Sequence, residues 1–173
     1  MKGYAKVTHV PMTLDEQIAS AEKNLDRLLQ WVSRVDTKVS VLLGIHTGML
    51  GIVASLAPEP HKWTWYTDLS VAATMVLLVT GFLFIYFASY PQTKGPTKSL
   101  LFFGSIAKNS FNEYQQFFSS RTAQEHLADL MEQCHRNSEI LDKKFRNLKR
   151  AYRTMMGAFV PWAFTLLIFK WSK

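Results

Sequence analysis

The stretch "WVSRVDTKVSVLLGIHTGML", Trp31–Leu50, decides how the rest of the chain is interpreted. Arg34, Asp36 and Lys38 stand directly before a run that contains no further Asp, Glu, Lys or Arg until Glu59. A helix of about 20 apolar residues is long enough to cross the roughly 30 Å hydrocarbon layer of a bilayer. The stretch therefore predicts a helix that passes from water into a membrane just after its charged residues.

Three segments have the length and composition of membrane helices: residues 39–57, 66–89 and 154–171. The third is shorter than the second and contains Pro161. Lys170 and Lys173 argue against a C-terminus on the outer side, so a re-entrant or shallow helix remains an alternative to a full span. Lys and Arg are concentrated before residue 39 and in 90–153, whereas Lys62 is the only one between the first two spans. The positive-inside rule then places the N-terminus and 90–153 in the cytoplasm.

The polar parts of the chain also have helical periodicity. Apolar positions alternate by three and four residues, as in a coiled-coil seam, in two series. The first series is Ile18, Ala21, Leu25, Leu28, Val32, Val35, Val39 and Leu42; the second is Leu127, Met131, Cys134, Ser138, Leu141, Phe145, Leu148, Tyr152 and Met155. The seams predict two long helices that pair within one chain, assemble into an oligomeric bundle, or do both.

The expected fold is an all-α membrane protein with about three transmembrane helices, whose long helices extend into a cytoplasmic helical bundle. Six segments follow from the pattern: a tail at 1–12, a cytoplasmic helix at 13–38 continuous with the first span at 39–57, a second span at 66–89, a cytoplasmic helical region at 90–153, and a third span at 154–171. Thr13 or Asp15 is expected to cap the first helix. Ser40, Gly44 and Gly48 form a small-residue face that favours close helix contacts in lipid.

Enzyme signatures are missing from the sequence. It has no Gly-rich phosphate loop, no HExxH, no GxSxG and no metal-spaced group of His and Cys, so we expect neither catalysis nor a metal or cofactor. The net charge of +7 fits an anionic ligand or lipid. His46 is the one ionisable residue deep within a span; it is either a structural histidine bonded to a helix neighbour or a pore-lining group.

Three blocks, in order, carry a resemblance to a known family: "WVSRVDTKVSVLL" from Trp31, "LLFFGSIAK" from Leu100 and "NSEILDKKFRNLKRAY" from Asn137. They are similar to the transmembrane effectors of Pycsar, the bacterial antiphage systems that signal through cyclic pyrimidine mononucleotides. The similarity covers about Leu28–Trp171. Val39 departs from the family pattern, which often has Ala after Asp-x-Lys, and the first 15 residues lie outside the resemblance.

The resemblance implies a sensor that executes its own response. A partner cyclase makes cCMP or cUMP on infection, the effector binds that nucleotide, and the bacterial inner membrane is impaired, which aborts the infection. A homo-oligomer is the expected assembly, and no nucleic acid is an expected partner. A ligand-independent, holin-like pore and an accessory membrane scaffold that docks a cytoplasmic partner remain alternatives.

A nucleotide site in this chain must be built from helices, because the cytoplasmic segments are too short for a cyclic-nucleotide β-roll. Nine residues near the cytoplasmic membrane surface are its candidates. The phosphate candidates are Arg34, Lys38, Lys108 and Lys144; the stacking candidates are Trp31, Phe103 and Tyr114; Asp36 and Asn137 are candidates for the base edge. For each of them, core packing or a solvated face is the alternative. Asp36 and Lys38 are the leading candidates for coupling a signal to the membrane.

Overall fold

The computed structural model describes residues 11–92, 95–96 and 98–171, and these residues contain helices and no strand. The elements, in chain order, are α1 (Leu14–Leu56), a short 3-10 helix (Pro60–Lys62), α2 (Trp65–Ser89), α3 (Phe103–Ile106), α4 (Phe111–Ser120) and α5 (Ala123–Trp171). Helices α1, α2 and α5 are each long and apolar enough to cross a membrane. The prediction of an all-α protein with three membrane helices is therefore confirmed.

Helices α1 and α5 are much longer than a bilayer requires, at 43 and 49 residues against the roughly 20 that span the hydrocarbon. Neither has a break between its polar and its apolar part. Pro161 lies inside α5 without ending it, and its carbonyl accepts a hydrogen bond from the Thr165 hydroxyl at 2.8 Å.

Reciprocal capping pairs begin three of the helices. In each pair a Ser or Thr hydroxyl accepts from the backbone N–H of a Glu three residues later, while that carboxylate accepts from the backbone N–H of the Ser or Thr. The pairs are Thr13–Glu16 on α1, Ser110–Glu113 on α4 and Thr122–Glu125 on α5. They satisfy donors that a helix start leaves unpaired, and the predicted cap at Thr13 is confirmed.

The capping carboxylates make the stability of these helix starts depend on pH in the acidic range. The hydroxyl and backbone N–H of Ser110 lower the pKa of Glu113 from its ordinary value of 4.5. A depressed folded-state pKa contributes stability above the unfolded value, and that contribution is lost as the pH falls through the folded value. We therefore expect amide protection in α4 to decrease below pH 4.5, measured by hydrogen exchange with intrinsic rates corrected. Ser110→Ala should weaken this dependence, because it removes the hydroxyl and keeps the backbone N–H; an unchanged dependence in that variant would contradict the assignment.

The chain divides into two compact units, each of which takes residues from α1 and α5. The polar unit consists of the described residues of Met1–Leu29 and Thr93–Ser138. Its apolar cluster is formed by Ala21 on α1 with Leu127 and Leu130 on α5, and Ile18 and Leu25 pack against it. Burying such side chains contributes roughly 25 cal/mol per Å² of apolar surface, which holds the two helices together within this unit.

The apolar unit consists of the described residues of Gln30–Gln92 and Glu139–Lys173. Helices α1, α2 and α5 share its main cluster, which contains Val35, Val39, Leu42, Ile85, Ala88, Leu148, Ala151 and Met155. Hydrogen bonds cross the same helices: the hydroxyls of Ser70 and Thr165 lie 2.7 Å apart, and the indole N–H of Trp162 donates to the Met49 carbonyl at 3.1 Å. Such bonds support helix association where water is absent.

The α1 seam is confirmed, because all eight of its positions are buried or half-buried. The α5 seam was predicted one residue out of register at four of its nine positions. Met131, Ser138, Phe145 and Tyr152 are exposed, and the buried face instead contains Leu130, Lys144, Ala151 and Ala158. The prediction favoured large apolar residues, whereas close helix packing selects small ones, and a buried lysine carries no apolar signal.

A close contact at Gly81 involves all three helices of the apolar unit. The ring of His46 is fully buried against Gly81, where a Cβ atom would lie 2.2 Å from His46 Nε2 and 3.1 Å from Thr154 Oγ1. The small-residue face predicted on α1 makes no such contact with the described residues, since a Cβ on Gly44 or Gly48 would meet none of their atoms within 4 Å. The close approach therefore depends on a glycine in α2.

The close contact at Gly81 predicts different outcomes for two glycine substitutions. Gly81→Ala should destabilise the protein by about 1–3 kcal/mol, because the added methyl overlaps the His46 ring. The matched control Gly44→Ala should be neutral or stabilising, because the site is open and alanine is the better helix former. Thermal unfolding in detergent micelles measures both, and equal melting temperatures for the two variants would contradict the packing.

Candidate functional sites

Asp36 on α1 and Lys144 on α5 form an ion pair in the apolar unit. Lys144 lies on the buried face of α5 and is 8% exposed, whereas nearly half of the Asp36 side chain is accessible. A buried ammonium group is costly unless it is paired, so Asp36 supplies the charge that Lys144 requires. Two of the nine sequence-predicted residues are thus brought together, as each other's partners.

Three more of the predicted residues lie near this pair in the chain. The guanidinium of Arg34 lies 5.2 Å from the ring centre of Trp31, a cation–π contact, and the Trp31 ring lies 6.3 Å from that of Phe145. Lys38 is exposed and has no ion pair among the described residues. This charged segment of α1 therefore offers one partly solvated cation–π pair and one uncommitted ammonium group.

Removing one partner of the ion pair should cost more than removing both charges. Asp36→Ala leaves a buried, unpaired Lys144, and we expect a loss of about 1–3 kcal/mol, less than the roughly 3–5 kcal/mol of a fully buried pair because Asp36 is partly solvated. Adding Lys144→Met should recover most of that loss. The comparison variant Asp142→Ala breaks an exposed pair with Arg146, which is worth about 0–1 kcal/mol.

Chemical unfolding of the single and double variants in micelles measures the coupling. A double variant that is less stable than Asp36→Ala alone would show that Lys144 does not need its partner.

The remaining four predicted residues lie in the polar unit and are not gathered there. Phe103 is 66% exposed, and Lys108 is also exposed. The centre of the Tyr114 ring lies 6.0 Å from that of Phe118, with the two rings tilted. Asn137 donates a hydrogen bond to the Gln133 carbonyl at 2.8 Å. No hydrogen bond, ion pair or ring contact joins any two of these four among the described residues.

The polar unit contains a cleft that was not predicted from the sequence. It has a volume of about 740 Å³, within the range of about 300–1,000 Å³ that small-molecule sites occupy. Two cationic, three acidic and one aromatic side chain line it, together with one leucine, one amide and three small side chains. The lining residues are Lys98, Ser99, Leu100, Asn109, Phe117, Ser120, Arg121, Glu125, Ala128, Asp129 and Glu132. The segment after α2, the end of α4 and the start of α5 supply these residues.

Asp129 organises the wall of this cleft. Its carboxylate is 7% exposed, and Oδ2 accepts from the Leu100 backbone N–H at 3.0 Å and from Arg121 Nη2 at 2.6 Å. The same Nη2 donates to the Glu125 carbonyl at 3.0 Å. The other carboxylate oxygen, Oδ1, is buried and has no hydrogen-bond partner among the described residues. Buried polar atoms are rarely left unpaired, so each such atom requires an explanation.

The segment that follows α2 is held on α5 by a second polar contact. Gln133 is buried and donates to the Ser99 hydroxyl at 2.9 Å, and that hydroxyl accepts from the backbone N–H of Leu101 and of Phe102. Asp129 and Gln133 are one helical turn apart, so both point to the same side of α5. Two polar residues at this spacing beside the apolar Leu127 and Leu130 are the sequence signal that could have indicated a polar attachment here.

His46 is enclosed by helices of its own chain. Its Nδ1 lies 2.9 Å from the Leu42 carbonyl oxygen, so this nitrogen carries the proton and donates, and Nε2 has no partner among the described residues. The Phe82 ring meets it edge-on at 5.4 Å. The bond to a residue one turn earlier agrees with the structural interpretation of His46, and the ring lines no open channel within the single chain.

These features define a helical membrane protein with a polar unit that contains a cleft of about 740 Å³. The family model for the Pycsar effector protein domain, PycTM, matches residues 20–169 of the 173, and the chain belongs to that family. The resemblance drawn from the three sequence blocks is thereby confirmed. No curated protein and no solved structure matches the chain.

Proposed function

We propose that this protein is the membrane effector of a bacterial antiphage system, which senses cCMP or cUMP and impairs the inner membrane so that infection is aborted. Membership of the Pycsar effector family is the observation that carries the proposal. Three helices that are long and apolar enough to span a bilayer supply the means of acting on a membrane.

The proposed route from ligand to membrane follows α1 and α5. Each helix contributes residues to both the polar and the apolar unit, so a displacement at one end of a helix is transmitted along it. Asp36, Lys38 and Lys144 are the proposed coupling residues, because they lie where the charged part of the chain meets the apolar spans. An oligomer, a partner cyclase and cytoplasmic placement of the polar unit belong to the same proposal.

Dye release from proteoliposomes separates this function from its alternatives. We expect cCMP or cUMP, but not cAMP, to release an entrapped dye from vesicles that contain the purified protein. Lys38→Ala should fold normally, because the side chain is exposed and unpaired, yet lose the response; Asp142→Ala should keep it. Release without nucleotide would favour a ligand-independent pore. No release under any condition would favour a scaffold, and either result would overturn the proposal.

A further inference from the structure

The cleft of the polar unit is lined by hydrogen-bond donors and acceptors that are not fully used. Lys98 is exposed and has no ion pair among the described residues. Arg121 is paired with Asp129 and its side chain is 12% exposed, and its hydrogen bonds to described residues come from Nη2 alone. On the acceptor side, Asp129 Oδ1 has no partner within the part of the chain that the structure describes. Glu132 is exposed and likewise makes no ion pair within the described residues.

The third carboxylate of the cleft is already committed. The Glu125 carboxylate accepts from the backbone N–H and the hydroxyl of Thr122 at 2.8 Å each, which closes the cap of α5. No group of three His, Cys, Asp or Glu in the described part of the chain is placed to hold a metal ion. The unpaired Oδ1 of Asp129 and the carboxylate of Glu132 therefore suit an organic ligand that donates hydrogen bonds, not a cation held by an acidic cluster.

We propose that this cleft is the nucleotide site, and that Asp129 and Glu132 select cytosine over uracil. The inference rests on the proposed function, which supplies the ligand class. Cytosine presents its N4 amine as a donor, and pairing of an Asp or Glu oxygen with that amine is an established mode of base recognition. Uracil has an acceptor, O4, at the same position, which two carboxylates repel. The sensor is accordingly a cCMP sensor.

The rest of the ligand also has counterparts in the cleft. The single negative charge of the cyclic phosphate matches Lys98 and the remaining N–H groups of Arg121. The ring of Phe117 is 51% exposed and provides a stacking surface for a base. Because Asp129 Oδ1 is covered from solvent, the amine reaches it only when cleft-lining side chains shift. Since Arg121 binds Oδ2 of the same carboxylate, such a shift would disturb the contacts that hold Leu100 and Glu125.

Isothermal titration of the full-length protein in detergent micelles with cCMP and with cUMP tests the proposal. We expect cCMP to bind at least about tenfold more tightly, the discrimination that one well-made base contact provides. Asp129→Asn should weaken cCMP binding about tenfold or more while leaving cUMP binding equal or tighter, because the amide can donate to uracil O4. Asp142→Asn, which makes the same change at an exposed position of α5, should leave both affinities unaltered.

A second variant keeps the test valid if Asp129→Asn misfolds, since Asp129 also accepts hydrogen bonds from Leu100 and Arg121. Glu132→Gln changes an exposed carboxylate and should reduce the preference for cCMP without lowering the melting temperature. Equal or tighter binding of cUMP by the natural sequence would overturn the base assignment and leave the proposed function standing. A preference for cCMP that survives both variants would overturn the cleft as the site. If neither nucleotide binds, the proposed function fails as well.

Discussion

The buried ammonium group of Lys144 constrains the apolar unit more than any other single group. A charge on the packed face of α5 is tolerated only opposite a carboxylate, and Asp36 on α1 is that carboxylate. The pair fixes which face of α5 turns toward α1, and the same face then brings Ala151 and Ala158 into full burial, where their small side chains permit close helix contact. Gly81 completes this packing from α2 by accommodating the ring of His46.

Local patterns in the sequence predicted the elements well. Hydrophobic length identified the three membrane helices, and the three–four spacing identified the α1 seam. Thr13 was one of two cap candidates, with Asp15, because the signal for a cap lies within one helical turn. Family resemblance came from short ordered blocks, which depend on no tertiary structure.

Features that depend on contacts between distant segments were not predictable. The α5 seam was misplaced because burial of Lys144 is decided by Asp36, 108 residues away in the chain. The cleft was missed because Asp129 acquires its role from Leu100 and Arg121, and none of the three stands out by composition or periodicity. The nine candidate residues were chosen for their chemistry and their expected place near the cytoplasmic membrane surface. The structure joins Asp36 to Lys144 and places Trp31 beside Arg34.

Helix α5 contributes to one charged pair that links separate segments in each unit, Asp129 with Arg121 in the polar unit and Lys144 with Asp36 in the apolar unit. We propose that a nucleotide bound in the polar unit changes the membrane part of the same chain. The conductance of a planar bilayer that contains the protein measures this coupling, with cCMP added to one side and then to the other. We expect the conductance to rise only when cCMP is added on the side that carries the polar unit. An equal conductance with and without nucleotide would show that the coupling does not exist.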